Sequence, residues 1–228
     1  MPYAQAKRVD TETIPVVDIT GLRDGTDANR VATALHDASQ GLGFIYITGH
    51  GIPNTVIEAA RAAAFQFFRS PESEKQTVSV SAKHRGFLGQ GGAKMRNDAK
   101  PDLKESFIWG YEDADGRAPE DHALRGANQW PVYPPTMQRD AMAYFQHAHE
   151  VAHHLMRGFA LGLGLDEGFF LGSADQPLSR ASFVYYPAQP EDMGVDQFGV
   201  GPHTDFGVMT VLCQDSVGGL QVENIDGE

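Results

Sequence analysis

The order of helical and strand patterns along this 228-residue chain constrains its fold more than any other feature. Apolar residues recur at helical spacing over residues 27–40, 54–68 and 136–162. Runs rich in β-branched and aromatic residues, separated by glycine-rich turns, predict strands over Ser182–Tyr186, Val208–Gln214 and Leu220–Asn224. Because helices precede strands, the sequence predicts an α+β fold with a sandwich or barrel in its second half.

Shorter patterns complete the predicted organisation of the first half. Strands are expected over Ile14–Ile19, Phe44–Thr48 and Glu105–Tyr111, the second of them buried. Ser70 is predicted to cap a short helix that has Pro71 at its first position. Gly86–Lys94 is rich in glycine and is predicted to be a mobile loop.

Charge and cysteine content limit the classes of partner and the compartment. Lysine plus arginine total 18 against 30 aspartate plus glutamate, a net charge of −12, which argues against nucleic acid and anionic membranes as partners. Cys213 is the single cysteine, so no intrachain disulfide forms; we expect it to be buried and inert within its strand. The first ten residues lack the apolar core of a signal peptide, and a cytoplasmic protein is predicted. Nothing in the sequence indicates the oligomeric state.

The sharpest motif is His203-Thr204-Asp205, which directly precedes an apolar run. In an extended chain, residues i and i+2 point to the same face, so His203 and Asp205 are predicted to project together. An imidazole beside a carboxylate supplies two of the three ligands of the facial triad that holds Fe(II) in non-haem oxygenases. A hydrogen-bonded surface pair is the commoner explanation of an H-x-D motif on its own.

Six segments, in order and at matching spacing, resemble the iron- and 2-oxoglutarate-dependent dioxygenases of the isopenicillin N synthase-like group. They are Ile14–Asp18, Gly43–Ile52, Asp102–Phe107, Asn128–Pro131, Tyr185–Pro187 and His203–Asp205. The resemblance implies a distorted double-stranded β-helix (jelly roll) as a mainly β catalytic core, with a helical and strand region packed on it. It divides the chain into an arm (1–13), an N-terminal region (14–135) and a linking helix with the first part of the jelly roll (136–228).

The same resemblance implies the chemistry and its residues. His203 and Asp205 correspond to iron ligands, Tyr186 and Thr210 to positions at the cosubstrate 2-oxoglutarate, and Phe206 to a position in the substrate pocket. The implied cofactor is Fe(II), with 2-oxoglutarate and O2 as cosubstrates. The implied reaction is hydroxylation, desaturation or cyclisation of a small organic molecule, with release of succinate and CO2.

The chain also departs from the family. Family members continue for most of another hundred residues, which carry the second histidine ligand and the arginine and serine that bind 2-oxoglutarate. This sequence ends at Glu228, after an Asp226–Gly227 pair typical of a hairpin turn. We therefore expect the jelly roll to be incomplete at the C-terminus, the distal histidine and arginine to lie outside this chain, and the chain alone to be inactive or severely impaired.

Two alternatives to 2-oxoglutarate chemistry stay open. One is an Fe(II) oxidase of the same fold that does not use 2-oxoglutarate, as isopenicillin N synthase works. The other is a non-catalytic binding protein on the same scaffold. The arginine and serine of the cosubstrate site would decide the first alternative, and an iron titration would decide the second.

A rival metal motif lies on the long predicted helix. His149-Glu150-Val151-Ala152-His153 matches the H-E-x-x-H pattern, in which two histidines one turn apart bind zinc and the glutamate acts as general base. The extended form of the motif needs glycine at position 156 and histidine at 159, where this chain has Met156 and Phe159. We therefore predict a solvated helix face that binds no zinc.

Overall fold

A computed structural model describes residues 14–93, 100–112, 122–174, 177–188 and 197–223 of the chain. Its α-helices are α1 (Thr20–Arg23), α2 (Ala28–Ser39), α3 (Asn54–Phe68), α4 (Glu72–Gln76) and α5 (Met137–Gly162), and a short 3-10 helix spans Leu171–Ser173. Its strands are β1 (Val16–Asp18), β2 (Tyr46–Thr48), β3 (Gly86–Leu88), β4 (Glu105–Gly110) and β5 (Arg180–Tyr185). Within the described ranges, no helix combines the length and the apolar character needed to span a bilayer. The predicted arm, residues 1–13, lies outside these ranges.

The described residues form a mixed α+β structure with two compact units. The first unit takes in the described residues between Pro53 and Gln146 and between Pro177 and Phe206. The second takes in the described residues before Pro53, between His147 and Gln176, and after Phe206.

The first unit is built on a three-stranded antiparallel sheet in the order β3-β4-β5. Phe107 at the centre of β4 pairs with Phe87 of β3 and Phe183 of β5, so aromatic side chains line up across the strands. Helix α3 adds Phe67, whose ring lies 5.0 Å from that of Phe107, edge to face. The buried core of this unit comprises Ala63, Phe67, Phe68, Val78, Phe87, Phe107, Trp109, Met137, Ala141 and Phe145.

The second unit has a parallel pair of strands, β1 and β2, with Val17 paired with Ile47. Helix α2 presents an apolar stripe at positions i, i+1 and i+4, which buries Val31, Ala32 and Leu35. Together with side chains of β1, α1 and residues 147–162, this stripe forms a separate core of Val17, Ile19, Leu22, Val31, Leu35, Val151 and Leu155.

Sequence periodicity located the longer helices well, but the predicted cap of the short helix α4 was misplaced. Helix α3 spans Asn54–Phe68 as predicted, and α2 and α5 fall within a residue of their predicted ends. The predicted cap at Ser70 is wrong. The Ser70 hydroxyl donates to the carbonyl of Phe67 at 2.6 Å, and Pro71 occupies the cap position of α4.

Several strand predictions in the second half are corrected by the structure. Residues 208–214 and 220–223 are not strands, and Asn224 lies outside the described residues. Cys213 is exposed, not buried. A β-branched run becomes a strand where a neighbouring strand pairs with its backbone, and over 207–223 the described residues provide no such pairing.

Two predictions in the first half are also corrected. The predicted buried strand at Phe44–Thr48 is shorter, β2, and Phe44 and Tyr46 are 46% and 43% exposed. The predicted loop at Gly86–Lys94 begins as strand β3, because residues 86–88 pair with β4. Phe87 is buried, and its N–H donates to the carbonyl of Val78 at 2.7 Å. Gly86 has φ +112°, and a Cβ there would lie 2.3 Å from the same carbonyl oxygen, so glycine is required.

Candidate metal centre

Strand β5 leads into the segment that carries the predicted metal ligands. Tyr185, its last residue, points into the first core, where its ring stacks on Phe68 at 5.2 Å. Tyr186 follows on the opposite side of the chain, half-exposed. After a short gap in the described residues, residues 197–206 carry His203 and Asp205 in the same compact unit.

Three hydrogen bonds fasten this segment to the residues just before β4. The Gln197 side chain donates to the carbonyl of Pro101 at 2.7 Å. The backbone N–H of Leu103 donates to the carbonyl of Phe198 at 3.2 Å. The backbone N–H of Gly201 donates to the carboxylate Oδ1 of Asp102 at 3.1 Å. These three hydrogen bonds hold the segment in place without the regular backbone pairing of a strand.

His203 and Asp205 approach each other as the spacing predicts, although residues 201–205 do not form a strand. His203 Nε2 lies 3.3 Å from Asp205 Oδ1, and the side chains are 38% and 54% exposed. His203 Nδ1 lies 2.8 Å from the carbonyl oxygen of Gly201. Since a carbonyl oxygen only accepts, Nδ1 is the protonated nitrogen in this contact, and Nε2 of the neutral ring keeps its lone pair.

This arrangement suits a divalent cation. Nε2 and Oδ1 both offer lone pairs to one point, and histidine ligands in metal sites characteristically donate their other N–H to a carbonyl or carboxylate. Two atoms bound at about 2.1 Å and at a right angle to one ion are about 3.0 Å apart, close to the 3.3 Å found here. Without a metal, the same geometry suits an ion pair with protonated His203. Among the described residues, no group of three His, Cys, Asp or Glu side chains is arranged to hold a metal.

The other predicted site residues have different surroundings. Burial raises the pKa of Tyr186, and the negative charge of Asp102 raises it further. A Cβ at Gly199 would lie 2.8 Å from the Tyr186 ring, so the backbone passes close over this ring. The ring of Phe206 is fully exposed. Thr210 is exposed and belongs to the second unit.

The H-E-x-x-H segment is helical, as predicted, but it is not simply a solvated face. His149 and His153 are half-buried, with ring centroids 4.3 Å apart. His153 Nε2 is buried, and the described residues offer it no hydrogen-bond partner. Burial lowers the pKa of His149, and the neighbouring His153 lowers it further. The carboxylate of Glu150 lies 3.7 Å from His147 Nδ1. The described residues supply no third ligand to this pair.

Sequence reasoning did not single out Asp102. It is 2% exposed, yet it accepts a hydrogen bond from Gly201, 99 positions later in the chain. Local spacing carries no signal for such a contact. The resemblance of Asp102–Phe107 to a family segment marked the region without giving this residue a role.

Comparison with known proteins identifies the family. Residues 14–133 match the family model "non-haem dioxygenase in morphine synthesis N-terminal", and residues 179–228 match the model of the 2OG-Fe(II) oxygenase superfamily. The validamycin A dioxygenase of Streptomyces hygroscopicus subsp. limoneus is 32% identical over 93% of this chain and 61% of its own length. The homoarginine-6-hydroxylase 2-ODD-C23 of Glycine max is 32% identical over 96% of this chain and 71% of its own length.

A solved structure agrees with these matches. A full-length Neurospora crassa protein, crystallised in complex with alpha-KG and thymine, superposes with a TM-score of 0.81 at 27% identity, over 96% of this chain and 71% of that one. The chain thus spans 61% to 71% of the length of these three proteins. The first model alone matches more than half of the chain. The chain therefore belongs to the 2OG-Fe(II) oxygenase family.

Proposed function

We propose that this protein is an Fe(II)- and 2-oxoglutarate-dependent oxygenase that hydroxylates a small organic molecule, and that His203 Nε2 and Asp205 Oδ1 hold the iron. The observation that carries the proposal is the convergence of these two atoms to 3.3 Å, with the other ring nitrogen of His203 engaged by Gly201. An imidazole and a carboxylate are two of the three protein donors that non-haem Fe(II) oxygenases use.

The residues of the chain bind and orient in this proposal. Gly201 fixes the ring of His203, and Asp205 brings a negative charge that favours a divalent cation. Tyr186 and Thr210 are assigned to the cosubstrate and Phe206 to the substrate pocket, on the family positions that they match. When bound, iron lets O2 oxidise both molecules: substrate, O2 and 2-oxoglutarate give hydroxylated substrate, succinate and CO2.

A small-molecule substrate is favoured by the relatives and by charge. Two of the three proteins compared are named for validamycin A and homoarginine, and the third was crystallised with thymine. A net charge of −12 disfavours phosphate backbones and anionic lipid. We also propose that residues 136–228 contribute to a jelly-roll catalytic domain, that residues 14–135 form the region packed on it, and that the protein works in the reducing cytoplasm.

The test is succinate formation from 2-oxoglutarate, in air with added Fe(II), over a panel of small organic substrates. In protein that also supplies the distal histidine and arginine, we expect succinate and hydroxylated product in equal amounts from the wild-type sequence. We expect none above background from His203→Ala or Asp205→Ala, and unchanged turnover from His36→Ala, a histidine of helix α2.

Two outcomes would replace the proposal by an alternative. Substrate oxidation and O2 consumption without succinate would identify an oxidase that does not use 2-oxoglutarate. Iron binding without turnover of any substrate would favour a binding protein. Equal turnover by wild type, His203→Ala and Asp205→Ala would contradict the assignment of the ligands.

A further inference from the structure

The segment that carries His203 and Asp205 depends on contacts outside itself. Residues 201–205 have no strand partner in the described part of the chain, so no ladder sets their backbone. The exposed side chains of His203 and Asp205 have little packing to hold them. Something else must fix the direction of the His203 ring if the two donor atoms are to stay together.

Asp102 is a fixed group that contacts this segment. Its backbone is held on both sides: its N–H donates to the carbonyl of Ala93 at 2.9 Å, and its carbonyl accepts from the N–H of Gly91 at 3.0 Å. Strand β4 begins three residues later, at Glu105. The backbone that carries the carboxylate is therefore fixed, and Asp102 is 2% exposed.

The buried carboxylate is directed at Gly201. Oδ1 accepts the Gly201 N–H at 3.1 Å. Oδ2 lies 3.4 Å from Lys104 Nζ and makes no hydrogen bond among the described residues. A buried carboxylate is costly unless charge and hydrogen bonds compensate it, so a backbone N–H aimed at it is held firmly.

Gly201 links this carboxylate to the metal-binding pair. Its N–H is bound by Asp102, and its carbonyl oxygen accepts from His203 Nδ1 at 2.8 Å. The second contact keeps the proton on Nδ1 and leaves the Nε2 lone pair facing Asp205. A shift of Gly201 would move its carbonyl oxygen away from Nδ1. The His203 ring could then turn, and its proton could lie on either nitrogen.

We propose that Asp102 is a positioning residue for the metal centre: through Gly201 it fixes the orientation and tautomer of His203. The proposal rests on the iron site proposed above, but its first readout needs no metal. Residues that hydrogen-bond a metal ligand typically change metal affinity about ten- to a hundredfold when removed. Asp102 acts through the backbone of one intervening residue, Gly201, and we expect its effect in that range.

The experiment compares wild type with Asp102→Ala, which removes the acceptor, and Asp102→Asn, which keeps an acceptor oxygen. Nitrogen-15 NMR of metal-free protein reads the His203 tautomer, and an anaerobic Co(II) titration reads affinity. With the imidazole ring in its neutral form, we expect the Nδ1–H tautomer in wild type and Asp102→Asn, and similar Co(II) affinities. We expect mixed tautomers and about ten- to a hundredfold weaker Co(II) binding in Asp102→Ala.

The matched control is Gln197→Ala, which removes another side-chain bond to residues 101–103 without touching Gly201. It should keep the wild-type tautomer and bind Co(II) within about threefold of wild type. If Gln197→Ala and Asp102→Ala weaken binding equally, the effect is general loosening and the proposal fails. It also fails if Asp102→Ala keeps wild-type tautomer and affinity.

Two other outcomes can be distinguished from a failure of the proposed role of Asp102: a variant that does not fold, and a protein that binds no metal. If Asp102→Ala does not fold, wild-type protein decides: mixed His203 tautomers, or a Gly201 amide without protection from hydrogen exchange, overturn the proposal. If wild type binds no Co(II), the proposed function fails, and the metal-free tautomers still decide whether Asp102 positions His203.

Discussion

The buried ion pair between α4 and β4 gives a quantitative test of the fold that supports the site. Lys75 is 5% exposed, and its Nζ lies 2.8 Å from Glu105 Oε2 and 3.0 Å from Glu72 Oε2. The Glu105 side chain is 13% exposed, whereas that of Glu72 is 59% exposed. Glu105 therefore depends on Lys75 far more than Glu72 does.

Lys75→Met keeps the apolar stem of the side chain and removes the charge. Removing one partner of a buried pair costs about 3–5 kcal/mol, because the other charge is left uncompensated. Glu105 retains some contact with water, so we place the loss at the lower end, about 3 kcal/mol. In a chain of this size such a loss lowers the melting temperature by about 6–12 °C.

Urea unfolding at neutral pH measures the loss. The matched control is Arg61→Met, whose pair with Glu58 has a similar distance of 3.0 Å but is solvent-exposed, and it should lose less than about 1 kcal/mol. The double variant Lys75→Met, Glu105→Leu should recover most of the loss, since no buried unpaired charge remains and Glu72 is largely exposed to water. Equal losses in Lys75→Met and Arg61→Met would refute the reasoning.

The pH dependence of this pair has a definite sign. Burial lowers the pKa of Lys75, but hydrogen bonds to Glu105 and Glu72 outweigh burial, so the pKa lies above its ordinary value. The stabilisation is therefore full below the unfolded-state pKa of about 10.4 and is lost as pH rises through the higher folded-state pKa. The difference between wild type and Lys75→Met should accordingly stay constant from neutral pH to about pH 9.

Three further predictions concern the core, the tyrosine and the histidine helix. Phe67→Ala, at a fully buried ring, should cost about 3–5 kcal/mol in urea unfolding, whereas Phe169→Ala, at a ring 58% exposed, should cost less than about 1 kcal/mol; similar losses would contradict the described core. Phenolate absorbance, with Tyr186→Phe subtracted, should show that the pKa of Tyr186 lies above its ordinary value of about 10. Asp102→Asn removes a negative charge and should lower that pKa, and an increase would contradict the assigned cause. Metal analysis should find no zinc lost from His149→Ala, and loss of one bound zinc with peptidase activity would reverse the conclusion.

The sequence predicted helices better than strands for a physical reason. The apolar spacing in Asn54–Phe68 describes a complete helix, because its interior backbone hydrogen bonds join residues four apart in the same segment. The run Val208–Gln214 has the composition of a strand, but a strand forms only when its backbone pairs with another strand. Composition does not indicate whether such a second strand is present. Cys213 was misplaced with that run, since its predicted burial depended on the strand.

Only those contacts of the candidate site that join residues close in sequence could be predicted. The i, i+2 spacing indicated that His203 and Asp205 would meet, and the structure brings them to 3.3 Å. The contact of Asp102 with Gly201 joins segments 99 residues apart, and no periodic pattern encodes it. The half-burial of His149 and His153 was missed because the helix pattern alone does not say what packs on its histidine side.

The most direct test of the account is an anaerobic Fe(II) titration of wild type, Asp205→Ala and His36→Ala. We expect saturable binding of one iron by wild type and His36→Ala. Asp205→Ala should bind iron at least about tenfold more weakly, because it removes one of the two donor atoms that approach each other at this site. Wild-type affinity in Asp205→Ala would contradict the central claim that His203 and Asp205 hold the metal.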